Sequence, residues 1–183
     1  AWGTLLYWFS GVAIDKGSVA HSWLELTKQP TIRRDTRLDQ MHNLLRDEVY
    51  EHDLNLIDKG VVTRGLFSPL CKTFSVSLFK AHPRLRPLRV PGHVFGKPDL
   101  TSSERAKCNV SNLLTERTCV AAERIARWGG LWVIENPVRR SDEHGPWKRF
   151  FARKPDGSPK FPDHVSFWQM PCVIGLARKT KAR

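Results

Sequence analysis

Three short apolar runs, each stopped by small or polar residues, constrain this chain more than anything else in it. Residues 5–9 (LLYWF) end at Ser10-Gly11, residues 61–67 (VVTRGLF) at Ser68-Pro69, and residues 131–134 (LWVI) at Glu135-Asn136-Pro137. Bulky runs of this length, rich in β-branched and aromatic residues, read as buried strands that stop at turns. Helical spacing fills the intervals. Ser18 is a candidate N-cap for a helix carrying Val19, Trp23, Leu24 and Leu26, which Pro30 stops. Residues 41–59 place Leu44, Leu45, Val49, Leu54, Leu56 and Ile57 at helical spacing before Gly60. Thr101 and Glu104 form a capping box ahead of a helix that carries Val110, Leu113, Leu114, Val120, Ala121 and Ile125 and ends at Gly129-Gly130. Residues 31–40 have room for only a very short strand, and residues 82–100 and 139–164 read as loops. The segment HVSFWQ (164–169) reads as a final strand. Strands alternating with helices predict an α/β fold with a doubly wound, mostly parallel sheet, and a site at the carboxyl ends of its strands.

A chain of 183 residues suits one domain, taken here as 1–176, followed by a basic tail over 177–183. Its 30 Lys and Arg against 18 Asp and Glu leave a net charge of +12. Such an excess favours polyanionic partners, nucleic acid above all, because phosphate contacts release counterions. The four cysteines, Cys71, Cys108, Cys119 and Cys172, form no CxxC pair and no metal-ligand spacing, so no metal is expected. Their scatter suggests reduced, intracellular thiols. No apolar stretch approaches the ~20 residues of a membrane span, so no membrane partner is expected. The chain opens without a basic leader, which argues against a signal peptide, and without Met, which suggests a piece of a longer protein.

The strand ends carry the chemistry. Phe9-Ser10-Gly11 lets a ligand approach the backbone closely, and the helix that follows favours an anionic group. Ser68-Pro69-Leu70-Cys71 puts a thiol just past the second run. Glu135 stands where a buried strand ends, and a carboxylate there is costly unless something binds it. A thiol and a carboxyl flanking one pocket suit nucleophilic addition to a ring, with the acid holding a ring nitrogen protonated.

In this order, FSG (9–11), PLCKTFS (69–75) and IENP (134–137) resemble the cytosine-5 DNA methyltransferase family. The likeness is closer to divergent methylase-like domains of protist genomes, often found near mobile elements. Those carry a Lys-Gly-Ser after the first turn, as in Asp15-Lys16-Gly17-Ser18, and end in a segment similar to FWQMPCVIGLARKT. The resemblance implies a Rossmann-like, class I methyltransferase fold with S-adenosyl-L-methionine as cofactor. It implies that Cys71 attacks C6 of a flipped cytosine while Glu135 engages the N3 edge. Phe9, Ser10 and Gly11 would line the cofactor, Asp35 or Asp39 would hold its ribose, Asn43 would lie near the adenine, and Ser68 and Pro69 would shape the loop. The partner would be DNA in preference to RNA. Leu70 stands where the family has a second proline, no Gln-x-Arg-x-Arg segment is present, and there is no room for a separate target-recognition domain. The loop residues Arg84, Arg86, Arg89 and Lys97 are the candidates for holding the nucleic acid instead. The alternative is an inactive methyltransferase-fold module that binds DNA or RNA through its basic surface. A third reading is a basic structural protein of a nucleoprotein particle.

Overall fold

The computed structural model describes residues 3–10, 18–75, 78, 86–136, 154–158 and 163–181. The chain falls into two compact units, one of residues 1–70, 113–135 and 175–183, the other of residues 71–112 and 136–174.

The first unit is built on a four-stranded sheet of β1 (Thr4–Trp8), β2 (Thr31–Arg34), β3 (Val62–Phe67) and β4 (Leu131–Ile134), in the order β2-β1-β3-β4. Every pairing is parallel. The register sets Leu6 beside Gly65, and Trp8 beside Phe67 and Arg34, so these residues share one face. That face is buried: Leu6, Trp8 and Phe67 are fully enclosed. Two helices cover it. From α2 (Asp47–Asp58), the Tyr50 ring lies 6.1 Å from that of Trp8, whose indole packs 5.2 Å from Phe67. From α3 (Ser102–Arg127), Ile125 presses onto Gly65, where an added Cβ would come within 2.8 Å of the Ile125 Cδ1. Glycine at 65 is therefore a packing requirement, because helix and strand approach closer than a methyl group allows.

A buried ion pair ties this layer together. The Arg34 guanidinium bonds Asp53 through Nε (3.1 and 3.0 Å) and Nη2 (2.5 Å). The Trp8 indole N–H donates to the same carboxylate at 2.8 Å, and Asp53 is wholly buried. One acid on α2 thus fastens the ends of β1 and β2. Arg117 of α3 performs a similar task at the other end of α2. It donates to the Leu44 carbonyl at 2.6 Å, pairs with Asp47, and lies 4.5 Å over the Tyr50 ring.

The first helix, α1 (Val19–Thr27), has the expected Ser18 cap, whose hydroxyl accepts from the His21 N–H at 3.2 Å. It stops at Lys28, in the left-handed region (φ 58°), before Pro30 can act. Its apolar residues do not form a core face: Val19, Leu24 and Leu26 are exposed and Ala20 is buried. Parallel strands connect by right-handed crossovers as a rule, which sets the expectation that α1 covers the sheet face opposite α2, because β1 connects to β2 in one direction and β2 to β3 in the other. In α3 the expected Leu114, Ala121 and Ile125 are buried, whereas Leu113 and Val120 are exposed. Ser111, Thr115 and Thr118 are buried in the same helix, and the Thr118 hydroxyl satisfies itself on the Leu114 carbonyl at 2.8 Å.

The second unit is centred on Arg89, which is 2% exposed. Its guanidinium donates to the Thr73 hydroxyl (3.3 and 3.0 Å), Asn112 Oδ1 (2.8 Å) and the Val94 carbonyl, and lies 4.1 Å over the Phe74 ring. Around it, the Phe74 and Phe167 rings pack edge to face at 5.8 Å, and the His164 Nε2 lies 2.7 Å from the Phe74 carbonyl oxygen. The segment expected as a last strand is a 3₁₀ turn over Phe167–Gln169 that leads into α4 (Pro171–Thr180). Residues 177–180, expected in the tail, belong to that helix.

The Thr101–Glu104 capping box is present, with the Thr101 N–H donating to Glu104 at 2.8 Å and the Glu104 N–H to the Thr101 hydroxyl at 3.3 Å. Arg86 grips the same carboxylate at 2.8 and 2.6 Å. The Arg86 bonds foremost, then that of the Thr101 backbone, bring Glu104 down to about 2 from its usual 4.5. An acid lowered on folding adds stability that is complete above its unfolded pKa and is lost as pH falls through the folded one. Urea titrations are therefore expected to show the wild type losing more stability between pH 4.5 and pH 2 than Glu104→Gln does. Equal losses would show that the pair carries no linkage.

Candidate active site

At the carboxyl edge of the sheet the strand order reverses, since β1 leads to β2 on one side and β3 to β4 on the other. Open parallel sheets bind ligands in the crevice at such a reversal. Here that reversal falls between β1 and β3. β1 runs into Phe9, whose φ of 62° lies in the left-handed region that non-glycine residues rarely occupy. Its N–H donates to the Arg34 carbonyl at 2.7 Å, which fixes the turn against β2. The Ser10 hydroxyl accepts from Arg33 Nε at 3.1 Å. From β3, the Ser68 N–H reaches the Trp8 carbonyl at 3.3 Å, and Pro69 is buried behind it. Phe9, Ser10, Ser68 and Pro69 thus gather at one edge of one unit. Gly11 lies outside the described residues, as does Asp15-Lys16-Gly17.

Asp35 and Asp39 separate clearly. Asp35 is the first residue past β2 and is buried (9% exposed). Its carboxylate accepts from the Arg37 N–H at 2.9 Å and pairs with the Arg37 guanidinium at 3.2 Å, while the Arg37 side chain itself is largely in solvent. Asp39 is exposed and caps the 3₁₀ turn Gln40–His42, accepting from the Met41 N–H at 2.8 Å. Asn43 ends that turn, with its side chain accepting from the Leu45 N–H at 3.0 Å. Only Asp35 stands at a strand end.

Glu135 follows β4, and its N–H donates to the Phe67 carbonyl at 2.8 Å. It does not carry the burial cost expected from the sequence. β4 is an edge strand, and Leu131, Val133 and Glu135 alternate on an exposed face. Cys71 opens the second unit and precedes the 3₁₀ turn Lys72–Phe74, whose Phe74 N–H donates to the Cys71 carbonyl at 2.9 Å. Its thiol is free and partly exposed, and Leu70 before it is 42% exposed. The described residues hold no group of three or more His, Cys, Asp or Glu that could bind a metal ion.

No protein-family model, curated protein or solved structure matches this chain.

The loop cations expected to meet nucleic acid do not form a free surface. Arg89 is enclosed in its own unit, and burial pushes its guanidinium down to about 10. Contact with a phosphate would require breaking the bonds that hold Thr73, Asn112 and Val94 together, so this assignment is withdrawn. Arg86 is committed to Glu104 and Asp99, and Lys97 lies 3.4 Å from Asp99. Arg84 lies outside the described residues. The sequence reading passed over Arg124, Arg127 and Trp128. Their spacing over the end of the capped helix was the available signal, since residues three and four apart share a face. Among the described residues no helix is long and apolar enough to cross a membrane.

Proposed function

We propose that the chain is an S-adenosylmethionine-dependent, cytosine-5 DNA methyltransferase-like protein with a doubly wound, Rossmann-like sheet. The observation that carries this reading is the coincidence of motif and topology. The motif turns and the acid Asp35 follow the carboxyl ends of β1, β2, β3 and β4, and the strand order reverses between the two that would flank a cofactor. The donor set suits a nucleoside. Asp35 is a buried carboxylate past β2, engaged by a solvent-facing arginine that a ribose diol could displace, and Ser10 offers a hydroxyl past β1. Bound there, the cofactor would supply an electrophilic methyl group. Cys71 as thiolate would add to C6 of the pyrimidine while Glu135 as acid protonates N3, making C5 electron-rich. After C5 is methylated, loss of the C5 proton to water would expel the thiolate, and return of the N3 proton to the Glu135 carboxylate would restore the neutral ring.

Calorimetry tests the cofactor half. Asp35→Ala is expected to weaken S-adenosylhomocysteine binding by about 10- to 100-fold, the cost of a lost charge-assisted pair of hydrogen bonds, whereas Asp39→Ala leaves it unchanged. Equal effects of the two, or no binding by the wild type, would refute the assignment. The exposure of Glu135 favours a second reading, a module that binds nucleic acid without chemistry. An acid that must stay protonated near neutral pH is better served by a water-poor setting than by an open edge strand. In that reading, nucleic-acid binding persists in Cys71→Ala and no methyl group is ever transferred.

A further inference from the structure

The strands begin at the sheet edge opposite their carboxyl ends, and there α2 and α3 end. A groove of about 490 Å³ opens at that edge, lined by Asp58, Arg124, Arg127 and Trp128. Trp128 is 61% exposed, an unusual setting for the largest apolar side chain. Arg124 pairs with Asp58. Glu123 accepts from Arg127 Nη2 at 2.5 Å and from Lys179 Nζ at 3.0 Å, which brings the last turn of α4 to the same place. Both Arg127 and Lys179 remain mostly in solvent, at 71% and 63% of their side-chain surface. Lys59, Arg178 and Lys181, all exposed, follow or flank these helix ends.

Cations at helix carboxyl ends offset the helix dipole, and here they do so in excess. Arg124, Arg127 and Lys179 outnumber Asp58 and Glu123, and a guanidinium has five N–H donors, of which one acid uses only some. An open aromatic face beside donors left over for phosphate is the combination that single strands use, with bases stacking and the backbone held electrostatically. A duplex offers no unpaired base to such a ring.

We propose that this groove docks single-stranded nucleic acid, with one base stacked on Trp128 and the adjoining phosphates held by Arg124, Arg127 and Lys179. The inference rests on the polyanionic partner of the reading above and not on methyl transfer. By strand rise the groove lies roughly 15–20 Å from the carboxyl edge, so it is a separate surface.

Fluorescence anisotropy with labelled oligo-dT and oligo-U, without cofactor, is the test. Both probes are expected to bind in a salt-dependent way, and the tighter one names the sugar. Trp128→Ala is expected to weaken binding about 5- to 100-fold, and Trp128→Phe to restore most of it. The double variant Arg127→Ala/Lys179→Ala should flatten the slope of log K against log salt by about 1.4. Since these side chains face solvent, circular dichroism should match the wild type. Wild-type affinity in both Trp128→Ala and the double variant, or a duplex probe bound more tightly with no response to Trp128→Ala, would overturn the proposal. Calorimetry with S-adenosylhomocysteine on Trp128→Ala keeps the two readings apart, because cofactor binding should survive there whatever the oligonucleotides do.

Discussion

Cys71→Ala is expected to abolish methyl transfer to cytosine-containing DNA, a loss on the order of 10⁴- to 10⁶-fold, while S-adenosylhomocysteine still binds. Losses of that size follow removal of a nucleophile whose partners cannot act without it. The split between chemistry and cofactor affinity is the informative part. The candidate cofactor groups, Ser10 and Asp35, belong to the sheet unit, whereas Cys71 opens the other unit. Glu135→Gln should reduce transfer by about 10²- to 10⁴-fold, the usual worth of a positioned acid. Transfer of a labelled methyl group to DNA reads both variants. Methylation by Cys71→Ala at the wild-type rate would end the cytosine-5 assignment.

The largest effect on stability is expected at Asp53. Asp53→Ala leaves the Arg34 guanidinium without its buried partner and the Trp8 indole N–H without an acceptor. Breaking one side of a buried pair costs about 3–5 kcal/mol, and for a chain of this size roughly 6–20 °C in Tm. The expected asymmetry is sharper than the loss itself. The double variant Arg34→Met/Asp53→Leu should recover most of the stability, because desolvating two charges consumes much of what their attraction returns. Urea denaturation of both variants measures it. A double variant as unstable as Asp53→Ala would show that the pair supplies net stability rather than fixing β1 and β2 against α2.

The strands and the long helix were readable because their signals are local. LLYWF, VVTRGLF and LWVI are apolar runs with punctuation, and the Thr101–Glu104 box announces its helix within four residues. Features set by distant parts of the chain were not readable. Arg89 sits in a proline- and arginine-rich stretch that looks solvated, and its burial depends on Thr73 and Asn112, which lie 16 and 23 residues away. HVSFWQ reads as a strand by its bulky residues, yet Phe167, Met170, Val173 and Leu176 repeat every third residue, and Pro171 suits a first helical turn. For the site, the sequence named both Asp35 and Asp39, and only the end of β2 at Arg34 separates them. The apolar LWVI reads as a buried strand that makes Glu135 costly, whereas β4 is an edge whose outer face is open.

Phe9 holds a backbone conformation that glycine would adopt at no steric cost, at an expense of order 1–3 kcal/mol for a bulky residue. That expense is met by bonds elsewhere, from its own N–H to Arg34 and from Ser68 to Trp8. The bend at the end of β1 is therefore imposed by its neighbours on β2 and β3. A ligand of the proposed site would meet the Phe9 backbone already fixed, with nothing deducted from its affinity for bending that residue.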